Sequence, residues 1–320
     1  MKPLSIGTRG SALALWQAEH VRQLLRERTG ADAAIVVIKT TGDREADLPF
    51  GQVGTKGMFL KELEDALREG RVDLAVHSLK DVPTEMPAGL TLAAFLERED
   101  VRDALVSRSG EKLSALPLGA RVGTSSLRRQ SQLRHYRADL EVAELRGNVD
   151  TRLAKLDRGD YDAIVLAKAG LDRLGLRERI TEILPVEISL PAAGQGALTV
   201  EVRADDTELL ERLNQIDHAE TRAAVSAERA LLAALGGGCQ IPIGAWARIE
   251  PSRGKGDQLV LDAAVLSPDG SDCLRKQAAG RADRPEELGR SLAAALIANG
   301  ADRILGATNP GGQAHAERTK

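Results

Sequence analysis

Up to about residue 200 this chain alternates short apolar, β-branched runs with helix-patterned ones, and that alternation restricts it to sheets covered by helices. Residues 4–8 read as a strand. A helix at 11–28 follows, with Leu13, Trp16, His20/Val21 and Leu24 on one face and Gly30 just past its end. Strands at 33–40, 73–77 and 90–96 and a helix at 58–69 complete a first unit. The charged run 97–103 breaks the apolar pattern and reads as a linker. The alternation then restarts: strands near 104–106, 121–123, 140–145 and 162–166, and helices at 125–137 and 149–158. After about 217 the texture changes. An Ala-rich helix at 218–235 runs into Gly236-Gly237-Gly238-Cys239. Three strand-like stretches at 241–249, 258–267 and 272–279 and a helix near 285–299 read as an α+β unit. With 320 residues the chain is past the size at which one core suffices. The polar stretch 308–320 is expected to be an unstructured tail.

Composition removes several functions. The formal net charge is −3, against the clearly basic balance of a dedicated nucleic-acid binder. Seven Phe, Trp and Tyr residues are too few for a base-stacking platform. No apolar run approaches the ~20 residues of a membrane span, and the first residues do not read as a secretory signal, so a cytoplasmic protein is expected. The two cysteines, Cys239 and Cys273, form neither a disulfide framework nor a CxxC site. Five scattered histidines without an HExxH-type cluster give no support for a metal site.

The cations are distributed less evenly. Between residues 121 and 152 seven Arg and no Lys face four acids, Asp139, Glu141, Glu144 and Asp150. Arg in place of Lys suits bidentate recognition of carboxylate or phosphate. In VGTSSLRRQ a strand ends at Gly123, Thr124, Ser125 and Ser126 offer caps, and Arg128 and Arg129 sit in the first turn of a helix, an anion-attracting position. Arg146 and Arg152 in LRGNVDTR, and Arg9 and Ser11 in TRGS, repeat the design of strand, polar turn and helix start. Any one of these turns reads equally well as a solvated helix face. Three together favour a polyanionic small ligand at the carboxyl ends of the strands.

Three further segments stand out. His77-Ser78-Leu79-Lys80-Asp81-Val82-Pro83 closes a strand with a cation and a carboxylate. Lys80 suits an anion, and Asp81 suits proton transfer or a cationic intermediate; spacing alone favours an ion-paired turn. PFGQVGTKGM has the glycines of a lid, but Lys56 is followed by Gly57, so it is not a phosphate loop. Cys239 after three glycines reads as an exposed attachment point, because such a loop lets a large group approach the backbone. Cys273, in a strand-like stretch, reads as structural.

These motifs together resemble the hydroxymethylbilane synthase (porphobilinogen deaminase) family. The stretches TRGSALALWQA, GTKGMFLKELEDAL, DLAVHSLKDVP, VGTSSLRRQSQL, LRGNVDTRLAKLDRGDYDAIVLAKAGLDRLG, PAAGQGAL and GGGCQIPIGA lie in family order over roughly three quarters of the chain. The resemblance implies a transferase of porphyrin (haem) biosynthesis. It joins four porphobilinogen molecules head to tail, releases ammonia, and yields linear hydroxymethylbilane. It implies one covalent dipyrromethane cofactor, held by thioether to Cys239. By the same resemblance Asp81 is the catalytic carboxylate. Lys80, Ser126, Arg128, Arg129 and Arg146 contact the cofactor; Arg9, Ser11, Arg152, Arg173 and Gln195 contact substrate; Lys56 and Phe59 belong to the lid. The family often carries a second Lys at the position of Gln52, so one basic lid contact is absent here.

The implied fold is α/β: two periplasmic-binding-protein-like α/β lobes with a third, smaller α+β domain. Residues 1–98 plus 194–216 form the first lobe, 99–193 the second, and 217–307 the domain carrying the cysteine loop, followed by the tail 308–320. A monomer without nucleic-acid or membrane partners is expected. The chemistry agrees with the residues. Each pyrrole unit carries two carboxylates, which accounts for an Arg-rich site in a slightly acidic protein. A two-lobed, non-catalytic carboxylate-binding protein is the alternative, but it gives no reason for Cys239 behind three glycines.

Overall fold

The computed structural model describes residues 3–40, 60–237, 241–252 and 256–306 and arranges them around three sheets. The first unit opens with Leu4–Thr8 (β1), Ala12–Thr29 (α1) and Ala33–Val37 (β2). Helix α1 starts where Ser11 Oγ accepts the Ala14 N–H at 3.3 Å. It stops at Gly30, which takes a left-handed φ of 67° and donates its N–H to Arg26 O. Its buried face is Gln17, Ala18, Val21 and Leu25. That is rotated by about one residue from the expected face, and Trp16 and Leu24 pack only partly buried against the core. Lys61–Arg68 (α2) and Leu74–Ser78 (β3) follow. A single 3-10 turn, Leu79–Asp81, separates β3 from the path to Leu90–Phe95 (β4).

The second unit holds Asp103–Ser107 (β5), Arg121–Gly123 (β6), Leu127–Tyr136 (α3), Glu141–Ala143 (β7), Val149–Asp157 (α4), Ala163–Ala167 (β8), Lys168–Arg173 (α5) and Glu182–Ile183 (β9). The chain then supplies Leu198–Arg203 (β10) and Thr207–Leu213 (α6). The sheet orders are β2-β1-β3-β10-β4 and β7-β6-β8-β5-β9. In both, the first three strands are parallel and the fourth runs against them. Those fourth strands, β10 and β5, each begin just after a crossing between lobes. Strand β10 is inserted between β3 and β4, so the chain returns to complete the sheet it left.

The third unit is Ala219–Ala234 (α7), an antiparallel meander of Ile243–Ser252 (β11), Gly256–Leu266 (β12) and Cys273–Gly280 (β13), then Pro285–Ile297 (α8) and Ala301–Gly306 (α9). Its core joins Ala227 and Leu231 of α7, Ala245 and Leu261 of the sheet, and Leu292 and Leu296 of α8. The lobes have their own cores, one around Ile6, Leu74 and Val200 and two around the second sheet.

The structure corrects two readings. Asp103 does not belong to a solvated linker: residues 96–102 are irregular, but Asp103 is the fully buried first residue of β5. Cys273 opens β13 but is exposed, so it is not a core thiol. Strand β10 and helices α5, α6 and α9 had no counterpart in the sequence pattern. The expected tail lies outside the described residues.

Candidate active site

The carboxyl ends of β1, β3, β6 and β7 carry most of the candidate residues, while Arg173 follows β8 and Gln195 precedes β10. Lys80 and Asp81 stand in the 3-10 turn after β3. Beyond β6, Ser126 caps α3, its Oγ accepting the Arg129 N–H at 3.5 Å. Arg128 and Arg129 follow in the first turn of α3 but turn inward, exposed by only 4% and 5%.

Their partner is Asp103. Arg128 donates to it at 2.8 and 3.4 Å, and Arg129 at 3.0 and 2.7 Å. Ser189 Oγ and Gln195 Nε2 donate to the same carboxylate at 2.7 and 2.9 Å. Burial alone would raise the Asp103 pKa, but the two guanidiniums override it and hold the carboxyl well below the usual range. Arg128 also donates to Leu190 O, and Arg129 to Val165 O. The Arg pair is thus fixed by an internal anion before any ligand arrives.

Gln195 extends this cluster to the first lobe. Its Nε2 donates to Val101 O at 2.7 Å, and its Oε1 lies 3.5 Å from Lys80 Nζ. Burial pushes the Lys80 pKa down to about 8, and Arg129 adds to the shift against the opposing pull of Asp81 and Asp103. Burial likewise lowers Arg152 to about 10, with Arg129 adding to it and Asp81 opposing. Arg152 belongs to the second lobe and Asp81 to the first, so these groups sense each other across the lobe boundary. The Asp81 side chain is exposed.

Arg173, at the end of α5, is buried and donates Nη2 to Gly196 O at 2.7 Å. Its guanidinium lies 5.7 Å from the ring centroid of Trp16, which stacks on His20. Arg146 pairs with Glu144 at 2.5 Å at the end of β7. Arg9 and Ser11 occupy the turn from β1 to α1, next to β3 in the sheet. Lys56, Phe59 and Cys239 lie outside the described residues, as does Gln52.

A second buried carboxylate fastens the third unit to the crossings. Glu228 on α7 takes Arg98 at 2.6 and 3.0 Å and the N–H groups of Gly194 and Ala247 at 2.7 Å each. Arg98 also donates to Gln195 O at 2.9 Å. The two crossings approach so closely that a Cβ on Gly196, whose φ is +88°, would lie 2.5 Å from Glu99 O. Asp103, Arg98 and Glu228 were not found by sequence reasoning. Asp103 and Arg98 sit in a charged run, and Glu228 sits in an Ala-rich helix. No local pattern separates a buried acid in such settings from a solvated one.

Two α/β lobes joined by paired crossings, with cations from both gathered at strand ends, define a two-lobed α/β architecture with an added third domain. The chain belongs to the porphobilinogen deaminase family. Residues 4–211 match the model of the porphobilinogen deaminase dipyrromethane cofactor binding domain, and residues 222–298 match that of the C-terminal domain. A porphobilinogen deaminase of Desulforudis audaxviator is 54% identical over 96% of this chain and 98% of its own length. One of Methylobacillus flagellatus is 51% identical over 96% of this chain and 97% of its own length. Among solved structures, the VFT2 domain of Bordetella pertussis BvgS is 18% identical, with a TM-score of 0.42 over 66% of this chain and 84% of that one. Among the described residues no helix is long and apolar enough to cross a membrane.

The residues present fit a dipyrromethane, which carries several carboxylates. Burial of the Lys80 and Arg152 cations lowers both pKa values, with Arg129 adding to each, and bound carboxylates would offset that cost. Buried Nε atoms of Arg128 and Arg173 have no hydrogen-bond partner among the described residues.

Proposed function

We propose that this chain is a hydroxymethylbilane synthase that condenses four porphobilinogen molecules head to tail, with release of ammonia, on a dipyrromethane held by thioether to Cys239. The observation that carries this reading is that Lys80 of the first lobe and Arg152 of the second both lie within electrostatic reach of the exposed Asp81 and of Arg129. Lys80, Ser126, Arg128, Arg129 and Arg146 would hold the cofactor. Arg9, Ser11, Arg152, Arg173 and Gln195 would hold incoming substrate, and Lys56 and Phe59 would cover it. When bound, the cofactor supplies the free pyrrole α-carbon from which the chain grows.

Loss of ammonia and attack on the resulting carbon place positive charge on pyrrole nitrogen. A fixed carboxylate stabilises that charge and moves protons, where a cation would repel it. Asp81 is the carboxylate in position for this task, and the cations beside it bind the acetate and propionate groups. In this reading the lobes are residues 1–98 with 194–216, and 99–193, and residues 217–307 form the third domain. The enzyme acts as a cytoplasmic monomer. Incubation of the purified protein with porphobilinogen tests the activity: one ammonia should appear per pyrrole consumed, with a linear tetrapyrrole as product. Binding of porphobilinogen without ammonia release would instead mean a carboxylate-binding protein.

A further inference from the structure

The turn bearing Lys80 and Asp81 is held from behind by the third unit. Arg229 on α7 donates to three successive carbonyls, Val82 O at 3.0 Å, Pro83 O at 2.6 Å and Thr84 O at 3.3 Å. These carbonyls come directly after Asp81, where the 3-10 turn ends. One backbone bond closes that turn, from Val82 N to Leu79 O at 3.0 Å. Pro83 has no N–H with which to extend it. The planar, five-donor fork of a guanidinium suits such a row of acceptors in a way an ammonium does not. The same helix packs Val225 into a cluster with Leu79, Val82 and Phe95. On the other side, a Cβ on Gly194 would lie 2.8 Å from Leu79 Cγ. The exposed Asp81 side chain therefore takes its place from the backbone of this turn.

We propose that Arg229 is a positioning residue of the site: it fixes the Asp81 turn relative to α7, the helix that Cys239 follows in the sequence. This inference rests on the reading of Asp81 as the catalytic carboxylate. The bonds of Arg229 to the turn go to backbone carbonyls and not to the side chains of Lys80 or Asp81, so its loss should alter kcat far more than KM. Arg222 provides the control. It lies on the same helix and anchors it to the first lobe through Ala93 O at 2.7 Å and Asp217 at 2.7 and 2.9 Å, and it reaches the turn only through the Phe95 ring, 4.7 Å away.

The experiment measures kcat, KM, Tm and intact mass for the wild type, Arg229→Ala, Arg229→Lys and Arg222→Ala. A displacement near 1 Å costs about 10²-fold in rate, so kcat of Arg229→Ala should fall roughly 30- to 100-fold with KM within about twofold. Its cofactor mass should match the wild type. Arg229→Lys should lie between the two, because one ammonium satisfies only part of the three carbonyls. Arg222→Ala should lower Tm and keep its kcat. Wild-type kcat in Arg229→Ala, or an equal loss in Arg222→Ala, overturns the inference. If Arg229→Ala does not fold, unchanged kcat in Arg229→Lys overturns it. An inactive wild type overturns the functional reading along with it, whereas an active wild type beside a fully active Arg229→Ala overturns the inference alone.

Discussion

Asp103→Asn should destabilise the protein by about 3 kcal/mol, the lower end of the cost of breaking a buried ion pair by removing one partner. The carboxylate has six contacts within 3.4 Å from Arg128, Arg129, Ser189 and Gln195. Asn keeps its size and one acceptor oxygen, removes the charge, and points an amide donor at groups that are themselves donors. Two guanidiniums then stay buried without a counter-charge. Their bonds to Leu190 O at 2.7 Å and Val165 O at 3.1 Å persist, which places the cost at the lower end. At about 2–4 °C per kcal/mol, Tm should fall by roughly 6–12 °C. Scanning calorimetry is the assay, because three units need not unfold in one step. The folded pKa of Asp103 lies below its unfolded value near ~3.9, so its stabilisation is complete above that pH and is lost only as pH falls through the folded value. The Tm difference between the two proteins should therefore be as large at pH 5 as at pH 7. A fall of less than about 2 °C, or a difference that closes between pH 7 and 5, would refute the assignment of Asp103 as the buried counter-ion.

Lys80, whose pKa is pushed down to about 8 mainly by burial with Arg129 adding to it, should lose its charge in the cofactor-free protein as pH rises through that value. Loading of the cofactor-free protein with porphobilinogen should then slow above pH 8, and Lys80→Arg should flatten the fall; a flat wild-type profile to pH 9.5 contradicts the placement of Lys80. Because the folded value lies below the ordinary lysine value of 10.5, the charge costs folding stability at neutral pH, and that cost is relieved between about 8 and 10.5. Asp81→Asn should leave a folded, cofactor-loaded protein with turnover reduced by at least ~10²-fold, the upper range for a general acid–base group falling near 10⁴. Retention of a third or more of wild-type activity would remove Asp81 from that role.

The sequence pattern revealed the lobes because β-branched runs and capped helices are local signals. The Gly30 stop lies where the residues predict it, and the helix expected from Ser11 begins one residue later, with Ser11 as its cap. Strand β10 escaped notice because its pairing is non-local: Leu198–Arg203 joins β3 and β4 only after the chain has crossed twice. The same limit applies to the site. Motifs brought Lys80, Arg128, Arg129, Arg152 and Gln195 to attention, and the structure gathers these five at the crossings. Their buried partner was invisible, since Asp103 differs from Glu97, Glu99 and Asp100 only in what folds around it. Arg229 was hidden for a related reason. Its acceptors are carbonyls of another unit, and backbone carries no sequence signature.

The central claim is a cofactor made from substrate and fixed to one thiol. Its most direct measurement is the intact mass of the purified, denatured protein with a peptide map across Cys239. The account predicts an excess equal to two linked pyrrole units on that peptide, absent from Cys239→Ser and retained in Cys273→Ser. A mass equal to the bare chain, unchanged after incubation with porphobilinogen, would contradict it.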